Sequence, residues 1–217
     1  MNRYSSIKII VYGGSLIKIL FDFLTSFSGL ILLLPVFLLT SIISIIFQGL
    51  PVFFFHKRLG KHGIIFTMVK FRTMTNEPSV SAEHDISRLT RWGRFLRKTS
   101  IDELPVLINV IKGDMSLVGP RPLPVKYLSR FNSFQKKRMD VKPGITGLAQ
   151  INGRNQLSWE ERFAYDVEYT KGKSFFLDLV IIFKTLYLVI FRKNIDSKSQ
   201  EIMPEFMGTS GDMIDDK

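Results

Sequence analysis

The sequence predicts an α+β protein: an N-terminal helix–break–helix set in a membrane, then a mainly helical domain with a small β-hairpin. Three observations carry this. Phe23 to Phe55 contains no charged side chain, and Pro35 interrupts the run. Val52–Phe55 and Ile64–Phe71 are rich in strand formers and flank a Gly60-Lys61-His62-Gly63 turn. Further on, Ser100 with Glu103 and Ser158 with Glu161 carry the Ser-x-x-Glu signature of a helix start.

The length of 217 residues gives room for one domain with a sizeable core, and no linker or internal repeat divides it. A net charge of +11 points to a polyanionic partner: nucleic acid, an acidic membrane surface or phosphorylated substrates. The absence of cysteine excludes disulfides, thiol catalysis and cysteine–metal sites. His56, His62 and His84 have no metal-ligand spacing and read as surface or turn residues.

About residues 16–50 form the membrane-inserted part, too long and without the cleavage site of a signal peptide. Proline in a helix interior removes one backbone hydrogen bond, so Pro35 kinks or breaks the helix. Each arm is then short of a full crossing. Both flanks are basic, with Arg3, Lys8 and Lys18 before and Lys57, Arg58 and Lys61 after. The positive-inside tendency puts both ends on the cytoplasmic side, which favours re-entry; a single kinked span from Asp22 to Ile46 is the alternative.

In the hairpin, period-two alternation puts Ile65, Thr67, Val69 and Phe71 on one face and Lys70 with Arg72 on the other. That second face is either a solvated surface or a pair of phosphate donors. Thr75 to Asp85 is a polar loop. Arg88 to Lys98 is a short basic helix with Trp92 and Phe95, suited to a membrane interface or to nucleic acid. The neighbouring apolar run decides for the bilayer and against nucleic acid.

Ser100, Glu103 and Pro105 predict a helix starting between Ser100 and Asp102 and ending at Gly113, with Asp102 in its anion-collecting first turn. Taken alone, Asp102 and Glu103 are explained by helix capping. Capping does not explain Arg97, Lys98 and Arg121 crowding the same place. Pro120 and Pro122 hold the backbone around Arg121. Val125 to Asp140 is expected to be helical, Lys142 to Gly147 a turn, Leu148 to Ile151 a strand, and Asn152 to Asn155 a tight loop that can approach a ligand. Ser158 opens a helix to about Tyr169, and Phe175 to Phe191 is a packed or interfacial helix with Arg192 and Lys193 at its end. The tail after Asn194 is polar and acidic, apart from Met203 to Met207, and is expected to be held loosely.

No P-loop, dinucleotide fingerprint or nucleophile elbow occurs. Arginines and lysines near glycine turns, an Asp–Glu pair and a membrane segment suggest handling of a diphosphate with a divalent cation, for which magnesium is the natural choice.

Four stretches then carry a resemblance: Lys70-Phe71-Arg72-Thr73-Met74, Arg97 to Pro105, Ser116 to Pro122, and Lys142 to Gly147. In this order they resemble the bacterial sugar transferase family, the monotopic polyprenyl-phosphate phosphoglycosyl transferases, in its small form with the catalytic domain alone. The resemblance implies a re-entrant helix broken at Pro35, interfacial amphipathic helices, a cytoplasmic catalytic part over 51–207 at the bacterial inner membrane, and a loose tail over 208–217. It implies transfer of a sugar-1-phosphate from a UDP-sugar to polyprenyl (undecaprenyl) phosphate with release of UMP, by a ping-pong route through a phosphosugar-aspartyl intermediate. This is the first membrane step of capsule, exopolysaccharide, O-antigen or glycoprotein glycan assembly. Asp102 matches the family's nucleophile and Glu103 its Mg2+ ligand. Arg97 and Arg121 match phosphate-binding positions, Lys70 and Arg72 are carried over as phosphate-binding, and Arg154 as nucleotide-binding. A homo-oligomer stays open. Where the family commonly has serine before the proline, this chain has Leu34. The competing readings are a membrane-bound nucleotide-diphosphate hydrolase using the same carboxylates, and a basic membrane-anchored module without catalysis.

Overall fold

The computed structural model describes residues 3–77, 87–153, 156–191 and 205–209, with side chains from residue 16 onward. Two apolar helices come first, α1 (Arg3–Leu32) and α2 (Leu34–Gln48). Their axes bend by 59° at the break. The break falls at Leu33, and Pro35 sits in the first turn of α2, where a missing N–H costs least. The ladder is resumed on both sides of it: Leu33 N–H donates to Gly29 O and Phe37 N–H to Leu33 O, each at 2.9 Å. Among the described residues no single helix is long and apolar enough to cross a membrane, while this bent pair together meets that length and composition.

Polar side chains pin both arms to one globular body. From α1, Lys18 Nζ reaches Asp178 at 2.6 Å, and Asp22 accepts from Ser116 Oγ at 2.7 Å. From α2, Ser44 Oγ accepts from Trp92 Nε1 at 2.9 Å, and Gln48 Nε2 donates to Thr90 Oγ1 at 2.6 Å. Phe37 packs on Phe53 and Phe71. The pair's other face is bare hydrocarbon, with Leu32 79% and Phe47 72% exposed.

The hairpin forms as expected. β1 (Phe53–Leu59) pairs antiparallel with β2 (Ile65–Phe71) across a turn in which His62 and Gly63 take positive φ. β1 runs past Phe55 to Leu59, further than its apolar residues indicated. Its burial bears on the face that carries Lys70. Phe66 and Met68 are buried while Ile65 is exposed, so the face carrying Lys70 is turned inward rather than to solvent.

Thr90 caps α3 (Arg91–Thr99) by accepting from Gly93 N–H. Gly93 is required there, because a Cβ would lie 1.9 Å from Thr73 O. A second sheet, absent from the sequence reading, pairs β3 (Ser116–Val118) parallel with β4 (Gly144–Thr146). It depends on backbone approach at Gly119 and Gly144, where added Cβ atoms would lie 2.4 and 2.1 Å from neighbouring backbone. α4 (Val106–Ile111) precedes β3, and Gly113, at φ 83°, closes the turn after that helix.

Val125 to Asp140 is not one helix. It comprises a 3-10 segment (Val125–Arg130), α5 (Ser133–Lys136) with an Asn132–Gln135 capping box, and a second 3-10 segment (Lys137–Asp140). Leu148–Ile151 is a helical turn, α6, rather than a strand: the sheet partner of β3 is Gly144–Thr146 instead. The Ser158–Glu161 capping box forms in full and opens α7 (Trp159–Gly172). α8 (Phe175–Ile190) follows, capped by Ser174, with Ile181 buried and Phe183 exposed.

The largest aromatic cluster joins Tyr127, Phe131, Trp159 and Phe163 around Phe206. Phe206 belongs to 205–209, a segment that docks: Glu205 pairs with Lys126 at 2.6 Å and with Arg130 at 2.7 Å. Loose attachment of the tail after Asn194 therefore fails for these residues; residues 78–86, 192–204 and 210–217 lie outside the described ones, and so do His84, Arg192, Lys193, Met203, Pro204 and most of the 208–217 tail. Removing a fully buried phenylalanine leaves a cavity, so Phe206→Ala should lower unfolding free energy by about 3–4 kcal/mol. Denaturant titration of the detergent-solubilised protein measures this; a loss under about 1 kcal/mol would mean that the segment is not part of the core.

Candidate active site

Asp102 and Glu103 lie in a 3-10 turn (Ile101–Glu103) between α3 and α4, not inside a helix. Ser100 takes φ 58° and ψ 16° and ends α3, its N–H donating to Arg97 O, but its side chain makes no capping hydrogen bond to the turn that follows. The expected capping box is absent because Glu103 is drawn elsewhere. Its Oε1 accepts from Lys70 Nζ at 2.6 Å and from Arg121 at 2.8 Å. Two charge-assisted bonds outweigh one bond to a backbone N–H. Since α4 has only six residues, side-chain charge rather than a helix terminus makes this site electropositive.

Each cation is set by its own element. Lys70 stands on the inward face of β2, opposite Phe54 of β1. Arg97 lies in the last turn of α3, and its Nε donates to Thr73 Oγ1 at 3.0 Å. Arg121 follows β3 in the Gly-Pro-Arg-Pro loop, whose backbone is held from outside. Arg138 donates to Arg121 O at 2.7 Å while pairing with buried Asp166 at 2.6 Å. Sequence reading placed Arg138 only among the charges of an expected helix. Its partner lies 28 residues further on, so no local pattern joins them.

The two carboxylates are shifted in opposite directions. Burial pushes the Asp102 carboxyl up to about 6, and the charge of Glu103 adds to this, against the pull of Lys70, Arg97 and Arg121. Burial also acts on Glu103, but Arg121 and Lys70 outweigh it and hold that group well below the usual carboxylate range. Burial lowers Lys70, with Glu103 opposing; Glu103 raises Arg121. A fixed anion thus stands beside a carboxylate that ionises near neutrality.

The cleft beside them is lined by Arg58, Met68, Lys70, Glu103, Arg121 and Gly144, whereas Asp102 and Arg97 are not among its lining residues. Arg58 was counted from the sequence only as a flanking charge. Carrying the strand alternation from Phe54 through His56 would have put it on the face of Lys70. Arg72, expected beside Lys70, is not in the cleft. β2 ends at Phe71, and the Arg72 guanidinium turns away to the carbonyls of Gln48 and Gly49, closing the end of α2. Pro35 lies in α2 at the break and belongs to the apolar pair. Arg154 lies outside the described residues.

Among the described residues no group of three or more His, Cys, Asp or Glu can enclose a metal ion. Two hard carboxylates do fit magnesium, which retains waters and draws its other ligands from substrate phosphates. The donor set suits a metal that arrives with, or is completed by, a phosphorylated substrate.

A family profile described as "Bacterial sugar transferase" matches residues 13–192. The chain is 52% identical over 167 residues to an uncharacterized sugar transferase, EpsL, of Bacillus subtilis, covering 76% of this chain and 82% of that one. It is 38% identical over 192 residues to the exopolysaccharide production protein ExoY of Sinorhizobium fredii, covering 80% and 85%. A UDP-glucose:undecaprenyl-phosphate glucose-1-phosphate transferase of Klebsiella pneumoniae is 40% identical over 190 residues, 82% of this chain but 41% of that longer protein.

The raised Asp102 value has a signed consequence in metal-free protein. The folded group holds its proton after the unfolded chain, at about 3.8, has released it. Its contribution to stability therefore falls as pH rises from about 4 to about 6 and is constant above. Asp102→Asn escapes this and should be more stable than wild type at pH 7, by on the order of 1–3 kcal/mol, with the difference vanishing near pH 3–4. Thermal unfolding in EDTA at several pH values measures it. A variant less stable than wild type at pH 7 would contradict the electrostatics described for Asp102.

Proposed function

Because the chain belongs to the bacterial sugar transferase family, we propose that it is a polyprenyl-phosphate phosphoglycosyl transferase that moves a sugar-1-phosphate from a UDP-sugar to a polyprenyl phosphate and releases UMP. The observation that carries the chemistry is the unlike pair: Asp102, buried and ionising near neutrality, beside Glu103, fixed as an anion by Lys70 and Arg121. A carboxylate of this kind can act as a nucleophile toward phosphorus.

An Asp102 oxygen attacks the phosphorus that bears the sugar. The bond from that phosphorus to the bridging oxygen breaks, and its electron pair leaves with UMP. The sugar phosphate is then an acyl phosphate on Asp102. A phosphate oxygen of the polyprenyl phosphate attacks the same phosphorus, the Asp102 carboxylate departs, and a polyprenyl diphospho-sugar is formed. Arg97 and Arg121 neutralise the phosphate oxygens, and Lys70 orients Glu103. Glu103 is the residue that would hold magnesium, which when bound supplies charge neutralisation at the diphosphate.

The lipid substrate calls for a membrane seat. Both arms of α1–α2 pack on the same body, so their outer ends face the same side of any bilayer they enter. The apolar arms, Leu16–Leu32 and Leu34–Gln48, are about 25 and 22 Å long at 1.5 Å per residue. Set as a symmetric V with the observed 59° bend, they reach only about 12 Å deep, less than half of a ~30 Å hydrocarbon core. Trp92 and Phe95 of basic α3 stack on each other, and Phe47 of α2 stacks on Trp92, in the manner of an interfacial anchor. The lysines and arginines flanking the apolar run favour the cytoplasmic face of the bacterial inner membrane.

Asp102→Asn should reduce UMP release in the presence of undecaprenyl phosphate by at least about 10³-fold while the protein remains folded. Wild type given a UDP-sugar labelled at the sugar-bearing phosphate should retain covalent label before acceptor is added. Turnover of Asp102→Asn near the wild-type rate would refute the mechanism, and equal UMP release with and without acceptor would assign a hydrolase instead. EDTA should abolish UMP release and Mg2+ restore it; turnover that ignores both would remove the metal from the reaction.

A further inference from the structure

We infer that Arg58 is a phosphate-binding residue at the membrane-distal end of the cleft, holding the nucleoside-side phosphate of the donor and of the released nucleoside monophosphate. The inference rests on the transfer reaction proposed above, within which no role was assigned to Arg58.

Strand geometry places the guanidinium. Phe54, His56 and Arg58 alternate along β1 and share one face with Phe66, Met68 and Lys70 of β2, since Arg58 pairs with Phe66, His56 with Met68 and Phe54 with Lys70. That face is the inward one, and Arg58 lines the cleft together with Lys70, Glu103 and Arg121. The end of β1 is also tied to the arginine loop. Arg58 forms a β-bridge with Pro124, and Leu59 N–H donates to Leu123 O at 3.0 Å. Arg58 and Arg121 are thereby presented on the same opening by segments that hydrogen-bond to each other.

Its polar needs are poorly met. Among the described residues Arg58 Nε is buried without a hydrogen-bond partner, and NH1 donates to Pro122 O at 3.4 Å. Arg121 and Lys70 already converge on Glu103, the acid they share. Arg58 therefore adds a cation to the cleft without pairing with a carboxylate among the described residues. Burial and the repulsion of Arg121 pull its pKa down to about 10, and His56 beside it falls to about 4 through burial and the charges of Arg58, Lys70 and Lys126. A cleft biased in this way attracts a polyanion, and a planar guanidinium with free donors suits a phosphate.

Phosphate could come from the nucleotide or from the lipid, and position favours the nucleotide. β1 starts at Phe53, which packs on Phe37 of the apolar pair, and leads away from it. Arg58 is about 16 Å further along at ~3.3 Å per residue. A lipid phosphate reaching the cleft from the apolar pair would meet the Phe53 end first.

The test uses the full chain in nanodiscs or detergent. UMP and uridine are titrated into wild type and Arg58→Gln by calorimetry, and KM is measured for donor and for acceptor. Arg58→Gln should weaken UMP binding about 10–100-fold, leave uridine binding unchanged, raise donor KM and leave acceptor KM within about twofold. Arg58→Lys, which keeps the charge but not the fork, should lose less UMP affinity, about 3–10-fold. UMP affinity within twofold of wild type in Arg58→Gln overturns the assignment. So does a rise in acceptor KM with donor KM unchanged, which would give Arg58 to the lipid phosphate. If Arg58→Gln does not fold, Arg58→Lys decides, and unchanged UMP affinity there overturns it. Titration needs no turnover, so a wild type that binds UMP through Arg58 but releases none from a UDP-sugar would refute the transfer reaction and leave this contact standing.

Discussion

A single carboxylate oxygen, Glu103 Oε1, receives Lys70 from the hairpin and Arg121 from the loop after the second sheet. Three segments far apart in the chain meet at that atom. Glu103 and Lys70 are both half-buried, and withdrawing a charge from water is costly unless it is paired, so each holds the other in the charged state. The consequence for Asp102 is direct. Because Glu103 has taken Lys70 and Arg121 as hydrogen-bond partners, Asp102 feels those cations only at longer range while burial and a neighbouring anion act on it fully. That is how adjacent residues of the same type of chemistry come to differ so widely in protonation.

The same arrangement explains why the arginine loop is built as it is. Prolines limit its backbone, but its position depends on Arg138, which is buried against Asp166 of α7 and donates to Arg121 O. Aromatic packing around Phe206 holds α7 against the 3-10 segments that follow the loop. The stability of the helical side of the domain is thus linked to the placement of one guanidinium in the cleft. On the other side, Asp22 of α1 accepts from Ser116 Oγ and Leu117 N–H of β3, the strand that leads into the same loop. The apolar helix pair and the cleft therefore share a strand.

The apolar pair, the hairpin, the basic helix, the Ser158 capping box and the helix at Phe175 were legible because each is a local pattern: an uncharged run, alternation about a turn, a cap three residues before its partner. The reading went wrong where an equally good local pattern met a stronger distant partner. Ser100 and Glu103 have the spacing of a capping box, yet Glu103 bonds to residues 33 positions before it and 18 after it. Leu148 to Ile151 has strand composition, but β3 takes the Gly144–Thr146 backbone, where glycine permits closer approach. Arg72 has the spacing to accompany Lys70, but it lies one residue beyond the strand and is captured by the free carbonyls at the end of α2.

By itself the sequence determined the family, the apolar N-terminal pair, the hairpin and the identity of the two carboxylates with Lys70, Arg97 and Arg121 around them. Those features lie in contiguous runs or in motifs of fixed spacing. The tertiary structure alone decided which carboxylate is paired and which is left to ionise near neutrality, that Arg72 closes the end of α2, that Arg58 lines the cleft and that Arg138 holds the arginine loop. Protonation and partner choice depend on burial and on distances between segments remote in the chain, and neither quantity is encoded in local periodicity.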